Sequence, residues 1–327
     1  MRYVARRLVF YLAALWASIT LNFVIPRLIP GNPAEAIFAS HAQQMRGNSQ
    51  ALHALETTLG LSNDPLPLQY WHYLVNLAHG DLGTSFSYFP SQVTSIIANG
   101  LPWTIFLVGI SSIIAFAVGV GLGTLVAWRR GGFLDTVLPP ITLLMGSFPF
   151  FFFALLLLYM LAFQLKLFPL NGAYTSGTMP NLSWTFIGDV LAHAILPAAA
   201  IVIVSIGGWI LGMRNTMINV LSEDYVAMAE AKGLSDRRVM LMYAARNALL
   251  PQITGFALSL GYLVGGQILI EYVFSYPGVG YLLATAIGTQ DYPLIQALLL
   301  IITLCVLLAN LAADLLYGRL DPRVRAA

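Results

Sequence analysis

Long apolar runs divide this 327-residue chain, and they constrain its fold more than any other feature. A helix needs about 20 mostly apolar residues to cross a bilayer. Charged residues make up only 9% of the chain, against about 25% in a typical soluble domain. Because no soluble fold of this length buries so much apolar surface, we expect an all-α integral membrane protein with about six transmembrane helices. The six runs are Leu8–Ile29, Trp103–Ala127, Val137–Phe163, Val190–Met213, Ile253–Ser275 and Pro293–Tyr317.

The first and third of these runs each allow two interpretations. The first follows several arginines, as a signal peptide does, but it is far longer than the roughly 7–15 apolar residues of a signal core. It therefore predicts an uncleaved membrane helix. The third run contains Pro139, Pro140 and Pro149, so it is either one kinked helix or two helices that break near Pro149.

The basic residues orient the predicted spans. Arginine and lysine favour the cytoplasmic side of membrane helices. With the N-terminus inside, thirteen of the sixteen basic residues lie in the cytoplasm, and only Arg27, Arg46 and Lys166 lie outside. Both termini are therefore predicted to be cytoplasmic. The chain then divides into a first helix (1–30), an exterior region (31–101) and a core membrane domain (102–327).

The exterior region is too long for a plain connection between helices. It has few charges and several aromatic residues, including Tyr70 and Trp71. We expect short helices that lie on the outer membrane face.

Within the predicted spans, Gly119–Gly123 and Gly261–Gly265 have the spacing that lets membrane helices approach closely, which favours packing within the bundle.

A polar stretch interrupts the apolar chain between the fourth and fifth runs. Its first part, Glu223 to Lys232, contains good helix formers, and Gly233 is a natural C-terminal stop. Ser235 can cap a second helix that continues through Arg246. The pattern predicts a cytoplasmic helical hairpin, here called the hairpin (residues 222–251). Its first helix has an apolar side made of Tyr225, Val226, Met228 and Ala229.

This hairpin resembles the coupling loop of permeases from binding-protein-dependent ABC importers, in the dipeptide/oligopeptide form. Short sequence motifs of that family occur in the family's order along nearly the whole chain. They are Asp224-Tyr225-Val226, Ala229-x-Ala231-Lys232-Gly233-Leu234 and Arg246-Asn247-Ala248-Leu249-Leu250-Pro251 in the hairpin; Pro30-Gly31-Asn32-Pro33, Leu59-Gly60-Leu61, Pro65–Tyr70 and Gly80–Ser85 before it; and Glu271–Gly280, Asp291-Tyr292-Pro293 and Asp321-Pro322-Arg323 after it.

The resemblance implies the type I importer permease fold and a bacterial inner-membrane location. It implies as partners a second, similar permease, cytosolic ATPase subunits or domains that bind ATP and Mg²⁺, and an exterior substrate-binding protein. The long exterior region resembles the first permease of such a pair. One departure is Ala227, where the general motif has a glutamate. The residues expected to contact the ATPase are Asp224, Tyr225, Val226, Ala229, Glu230, Ala231, Lys232, Gly233 and Leu234.

The chain lacks the sequence motifs of ATP-binding, metal-binding and nucleic-acid-binding sites. Neither of its two lysines, Lys166 and Lys232, follows a glycine, so the phosphate-binding Gly-Lys-Ser/Thr motif is missing. The five histidines show no paired metal spacing, and His72 and His79 alone make a poor zinc site. No basic stretch with aromatics suggests nucleic-acid binding. We therefore expect no catalytic residue, metal or cofactor in this chain, with lipid as its surroundings.

Polar residues at membrane depth are candidates for the transport pathway. They are Gln267, Glu271, Asn310 and Asp314, for which structural hydrogen bonding is an equal alternative.

Peptides are the favoured substrate, with oligosaccharides or nickel as alternatives. A stand-alone secondary carrier or channel, or a membrane scaffold, remains a different class of function. For the hairpin alone, a solvated segment without a partner is also an alternative.

Overall fold

A computed structural model describes residues 2–28, 65–260 and 267–320, and these residues form helices and connecting turns. In the described ranges the only β-type contact outside helices is one bridge between Thr84 and Gln92. The helices are α1 (Arg2–Leu28), α2 (Leu66–Ala78), α3 (Val93–Trp128), α4 (Phe133–Ser147), α5 (Phe150–Leu157), α6 (Trp184–Leu221), α7 (Asp224–Ala231), α8 (Asp236–Arg238), α9 (Arg246–Leu260), α10 (Ile268–Val273), α11 (Val279–Gly288) and α12 (Tyr292–Leu320). Two π-helical segments, Leu158–Gln164 and Val239–Ala245, continue α5 and α8.

One compact unit contains residues 1–103, 264–268 and 277–327. Within it α1 packs along α12, and the Ser18 hydroxyl donates a 3.1 Å hydrogen bond to the Thr303 hydroxyl. The start of α3, α11 and the first turns of α12 share an apolar core. The buried members of this core are Val93, Ile97, Val279, Leu282, Leu283, Ala286, Leu294, Ile295, Ala297 and Leu298.

The second compact unit contains residues 104–263 and 269–276. Helix α6 is its centre, because α4, α5 and α9 all pack against it. Near one end of this helix, Arg214 Nε donates a 2.6 Å hydrogen bond to Asp135 Oδ1 of α4. The predicted division of the chain at residues 30 and 101 is based on membrane topology and does not correspond to these two compact units. It stays a prediction.

The described helices confirm a multi-helix membrane architecture and leave the count of six as a prediction. In the described ranges, α3 and α6 are long and apolar enough to cross a membrane. The third predicted run adds a bent pair of helices. Two shorter apolar stretches, Val9–Ile25 of α1 and Tyr292–Leu308 of α12, match the first and last predicted runs. The middle of the fifth run lies outside the described residues.

The third run breaks at Pro149, one of the two outcomes that its sequence left open. Its two halves, Phe133–Ser147 and Phe150–Gln164, meet at 94°. A residue before proline is disfavoured in the helical region, and Phe148 accordingly has extended backbone angles (φ −91°, ψ 141°). The consecutive Pro139 and Pro140 are instead accommodated inside α4.

The glycine spacing of α3 marks a close helix contact, as predicted. A Cβ atom added at Gly119 would lie 2.6 Å from Trp209 Cβ, and one at Gly123 would lie 2.6 Å from the Ile210 carbonyl oxygen. Helix α3 therefore approaches α6 too closely for any larger residue at these two positions. The other predicted pair, Gly261–Gly265, lies outside the described residues, as do the marks at Pro30–Pro33, Leu59–Leu61 and Asp321–Arg323.

Candidate functional site

The backbone of the hairpin turns sharply at Gly233. Helix α7 ends at Ala231, and Gly233 adopts the left-handed region with φ +72°. The Gly233 amide donates to the Glu230 carbonyl (2.8 Å), and the Leu234 amide donates to the Ala229 carbonyl (3.4 Å). This is the Schellman arrangement that closes a helix end, so the predicted stop at Gly233 is confirmed.

The second arm of the hairpin is longer and less regular than the sequence suggested. Ser235 occupies the N-cap position of α8, but its side chain makes no capping hydrogen bond. The α-helical hydrogen bonds give way to a π-helical segment from Val239 to Ala245. Helix α9 then continues past the predicted end at Arg246 as far as Leu260.

One face of α7 is buried against the rest of the second unit. Val226 and Ala229 are buried together with Val239 from the second arm. Leu221 and Leu234 pack around this cluster, together with Trp128 at the end of α3. A second cluster of buried side chains anchors the base of the second arm, and it consists of Ala127, Met213, Met217, Ala244 and Ala248. These contacts attach the hairpin to the ends of α3 and α6.

The neighbouring face of α7 is apolar and exposed. Met228 is 60% exposed and Tyr225 is 39% exposed. Asn247 Nδ2 donates a 2.9 Å hydrogen bond to the Tyr225 hydroxyl and also reaches the Tyr243 carbonyl (3.1 Å). The Asn247 amide thereby links the two arms and fixes the outward direction of the Tyr225 ring.

The hairpin also exposes many charged side chains. Four carboxylates and four basic groups of the hairpin are all exposed: Glu223, Asp224, Glu230, Asp236, Lys232, Arg237, Arg238 and Arg246. None of them forms an ion pair with another side chain in the part of the chain that the structure describes. The hairpin therefore presents exposed apolar side chains together with charged groups that form no ion pairs within the described ranges, the composition of a docking surface.

The nine residues predicted from sequence fall into two groups. Val226, Ala229 and Leu234 pack inward, whereas Asp224, Tyr225, Glu230, Ala231 and Lys232 are exposed and Gly233 makes the turn. Their contact with an ATPase stays a prediction. Two residues missing from that set support the site, Trp128 beneath the cluster and Asn247 beside Tyr225. Asn247 belongs to one of the family motifs found in the sequence. Its contact with Tyr225, however, depends on the fold.

Comparison with known proteins identifies the family. Residues 119–326, which include the hairpin, match the family described as binding-protein-dependent transport system inner membrane component. The chain belongs to this family. It is 38% identical to a putative peptide permease protein of Brucella suis, over 99% of both chains. It is 34% identical to the oligopeptide transport system permease protein AppB of Bacillus subtilis, over 98% of both, and to the dipeptide transport system permease protein DppB of Escherichia coli, over 99% of both.

Membership of this family assigns the chain's class of function. A binding-protein-dependent transport component is a permease subunit in the inner membrane, and the long apolar helices agree with that assignment. The family is one of transporters, not of enzymes. Its description also implies a substrate-binding partner and an energy-supplying partner, whose identities belong to the proposal below.

The family marks at 80–85 and 291–293 meet in the first unit. Asp291 is fully buried and accepts hydrogen bonds from the Ser85 hydroxyl (2.5 Å) and the Ser87 amide (2.9 Å). Its other oxygen accepts from the Leu294 amide (3.2 Å), so Asp291 also caps α12. This carboxylate joins the segment before α3 to the turn between α11 and α12.

The predicted pathway residues have different surroundings. Glu271 is fully buried and accepts a 2.8 Å hydrogen bond from the Thr104 hydroxyl within the second unit. Gln267 and Asn310 are half-buried, and Asp314 lies in α12 with its side chain outside the described residues. The hydrogen bond from Thr104 agrees with a structural role for Glu271, the alternative to a pathway role. A pathway role for these four residues stays a prediction.

Proposed function

We propose that this permease subunit imports peptides and that its hairpin docks into a groove on a cytosolic ABC ATPase. The observation that carries the docking proposal is the division of α7 into two faces. Val226 and Ala229 fix the helix from below, while Tyr225 and Met228 project from it. A rigid base and an exposed apolar tip suit a part that transmits force between proteins.

The proposed mechanism is alternating access. ATP-driven closure of the two ATPases moves the Tyr225–Lys232 segment, which tilts the helices of the permease and opens a cavity outward. The exterior binding protein releases its substrate into that cavity, and hydrolysis returns the permease to the inward-facing state. ATP and Mg²⁺ bind to the partner ATPases, and a second permease of similar sequence forms the other half of the pathway.

The peptide assignment is supported by the relatives, whose names describe peptide, oligopeptide and dipeptide transport. Oligosaccharides and nickel remain alternatives, because the exterior binding protein selects the substrate. Nickel is the least favoured, since no group of three or more His, Cys, Asp or Glu side chains able to hold a metal occurs among the described residues.

The decisive variant is Met228→Asp. Burying a methionine side chain contributes about 1.5–3 kcal/mol, and an aspartate there would also need desolvation. We expect the affinity for the ATPase to fall at least about 10-fold and ATP-dependent uptake in proteoliposomes to fall with it. The matched control is Met179→Asp, because Met179 is also highly exposed but lies in the turn before α6.

A second replacement removes the docking helix altogether. Exchange of Tyr225–Gly233 for a Gly/Ser linker is expected to abolish ATP-dependent uptake. Wild-type uptake by the linker variant, or equal loss of uptake in Met228→Asp and Met179→Asp, would contradict the coupling role. Uptake that is fully active without ATP in the wild type would instead indicate a stand-alone carrier.

A further inference from the structure

The first unit contains a polar cavity of about 560 Å³ at one end of the α1–α12 pair. Arg27 in the last turn of α1 lines it, as do Tyr292 and Gln296 in the first turns of α12. Helix α2 supplies a third wall from residues spaced along one face: Gln69, His72, Tyr73 and Asn76. Apolar groups, among them Leu300, line it beside the polar ones.

Two residues that line this cavity carry buried hydrogen-bond donors without a partner among the described residues. Gln296 is only 7% exposed, yet its Nε2 atom has no partner among the described residues, and neither has the buried Tyr73 hydroxyl. A buried donor without a partner is costly, so such atoms indicate an absent acceptor. Burial raises the pKa of Tyr73 above its ordinary value, which keeps the hydroxyl protonated and able to donate.

Arg27 adds an uncompensated positive charge to this wall. Its Nη1 atom donates to the Phe23 carbonyl (2.8 Å) and its Nε atom to Gln69 Oε1 (3.4 Å), while the guanidinium stacks on the Phe23 ring. Both acceptors are neutral, and Arg27 forms no ion pair with any residue in the described ranges. A charge and two neutral donors together suit a tetrahedral oxyanion.

The position of the cavity indicates where that oxyanion comes from. It lies at the end of α1, where an apolar helix meets the headgroup region of a bilayer. The exposed apolar residues of α2 include Leu66, Leu68 and Trp71, which are of the types that helices place at a membrane interface. The mixture of polar and apolar wall also matches a headgroup joined to acyl chains.

We propose that this cavity binds the headgroup phosphate of a membrane phospholipid, through Arg27, Tyr73 and Gln296. Phosphatidylethanolamine is the natural probe. Its phosphate suits the three donors, and its ammonium group suits the Asp81 carboxylate that lines the same cavity. The bound lipid would join α1, α2 and the start of α12, and it does not depend on the identity of the transported substrate.

The test is native mass spectrometry of the intact transporter after delipidation, with added dioctanoyl phosphatidylethanolamine. Hydrogen bonds to a charged group contribute about 1.5–3 kcal/mol, so Arg27→Gln is expected to weaken lipid binding about 10-fold or more. The matched control is Arg129→Gln, which removes an exposed positive charge in the second unit and is expected to retain wild-type binding.

A second variant keeps the test independent of folding defects. Gln296→Leu removes the unpaired amide and leaves an apolar side chain of similar size, so lipid binding is expected to fall without a lower melting temperature. Wild-type binding by folded Arg27→Gln and Gln296→Leu proteins would overturn the proposal. Displacement of the lipid by equal concentrations of inorganic phosphate or of dialanine would overturn it too, because the first result assigns the site to a soluble anion and the second to a soluble peptide.

Discussion

Asp291 shows how much one side chain can determine in this protein. It is fully buried, accepts hydrogen bonds from Ser85 and Ser87, and caps α12 through Leu294. Its sequence context marked it as part of a family motif. The contact with Ser85, however, joins residues 206 positions apart, and neither motif reveals that the two meet. Contacts of this kind depend on the packing of α11 and α12, which local sequence patterns do not encode.

We predict that Asp291→Ala lowers the free energy of unfolding by about 3 kcal/mol. Loss of a helix cap costs about 0.5–2 kcal/mol, and hydrogen bonds to a charged acceptor contribute about 1.5–3 kcal/mol. The Ser85 hydroxyl would also be left buried without its acceptor. Thermal unfolding in detergent, followed by tryptophan fluorescence, measures the effect. Asp236→Ala is the control, since Asp236 is exposed in the first turn of α8; an equal melting temperature for both variants would contradict the role of Asp291.

At the scale of helices, three glycines of α3 provide an internal comparison. Gly119 and Gly123 face α6 at distances that exclude a Cβ atom, whereas a Cβ at Gly121 would meet no atom within 4 Å. We predict that Gly123→Ala destabilises the protein by about 1–3 kcal/mol through overpacking against the Ile210 backbone. Gly121→Ala is expected to be neutral or to stabilise by up to about 1 kcal/mol, because alanine favours the helix.

Thermal unfolding of the two variants in the same detergent distinguishes these outcomes. Equal stability of Gly121→Ala and Gly123→Ala would show that α3 and α6 do not meet as closely as the structure places them. Both variants carry the same substitution in a single helix, two residues apart, so differences in helix propensity cancel.

Sequence periodicity predicted the elements better than it predicted their details. The Pro149 break and the Gly233 stop follow from backbone chemistry that is local to those residues. The π-helical segments at Leu158–Gln164 and Val239–Ala245 could not be predicted, because their residues also suit an α-helix. The apolar side predicted for α7 divides into buried Val226 and Ala229 and exposed Tyr225 and Met228, a difference that depends on packing against other segments, including Trp128 and Val239.

For the whole chain, sequence assigns the class of protein and leaves its substrate open. The ordered family marks extend from the exterior region to the C-terminus, and relatives match over 98–99% of the chain. Selection of the substrate, by contrast, belongs to an exterior binding protein in the proposed importer, so this chain need not carry a selective site. Glu271 is buried and hydrogen-bonded to Thr104, and its role in the pathway stays a prediction.

The proposed function also predicts the composition of the assembled transporter. Gentle detergent extraction of the tagged chain should recover an ATPase with a phosphate-binding loop and a second permease, identified by mass spectrometry. This chain has no glycine–lysine pair of its own, and its hairpin exposes the apolar side chains of Tyr225 and Met228. If the hairpin tip holds the ATPase, Met228→Asp should lose the ATPase during extraction, and we expect the second permease to remain because the substitution changes only the tip. A homo-oligomer that is stable through the same extraction and contains no ATPase would contradict the importer assembly and make Glu271 and Asp314 the first residues to mutate.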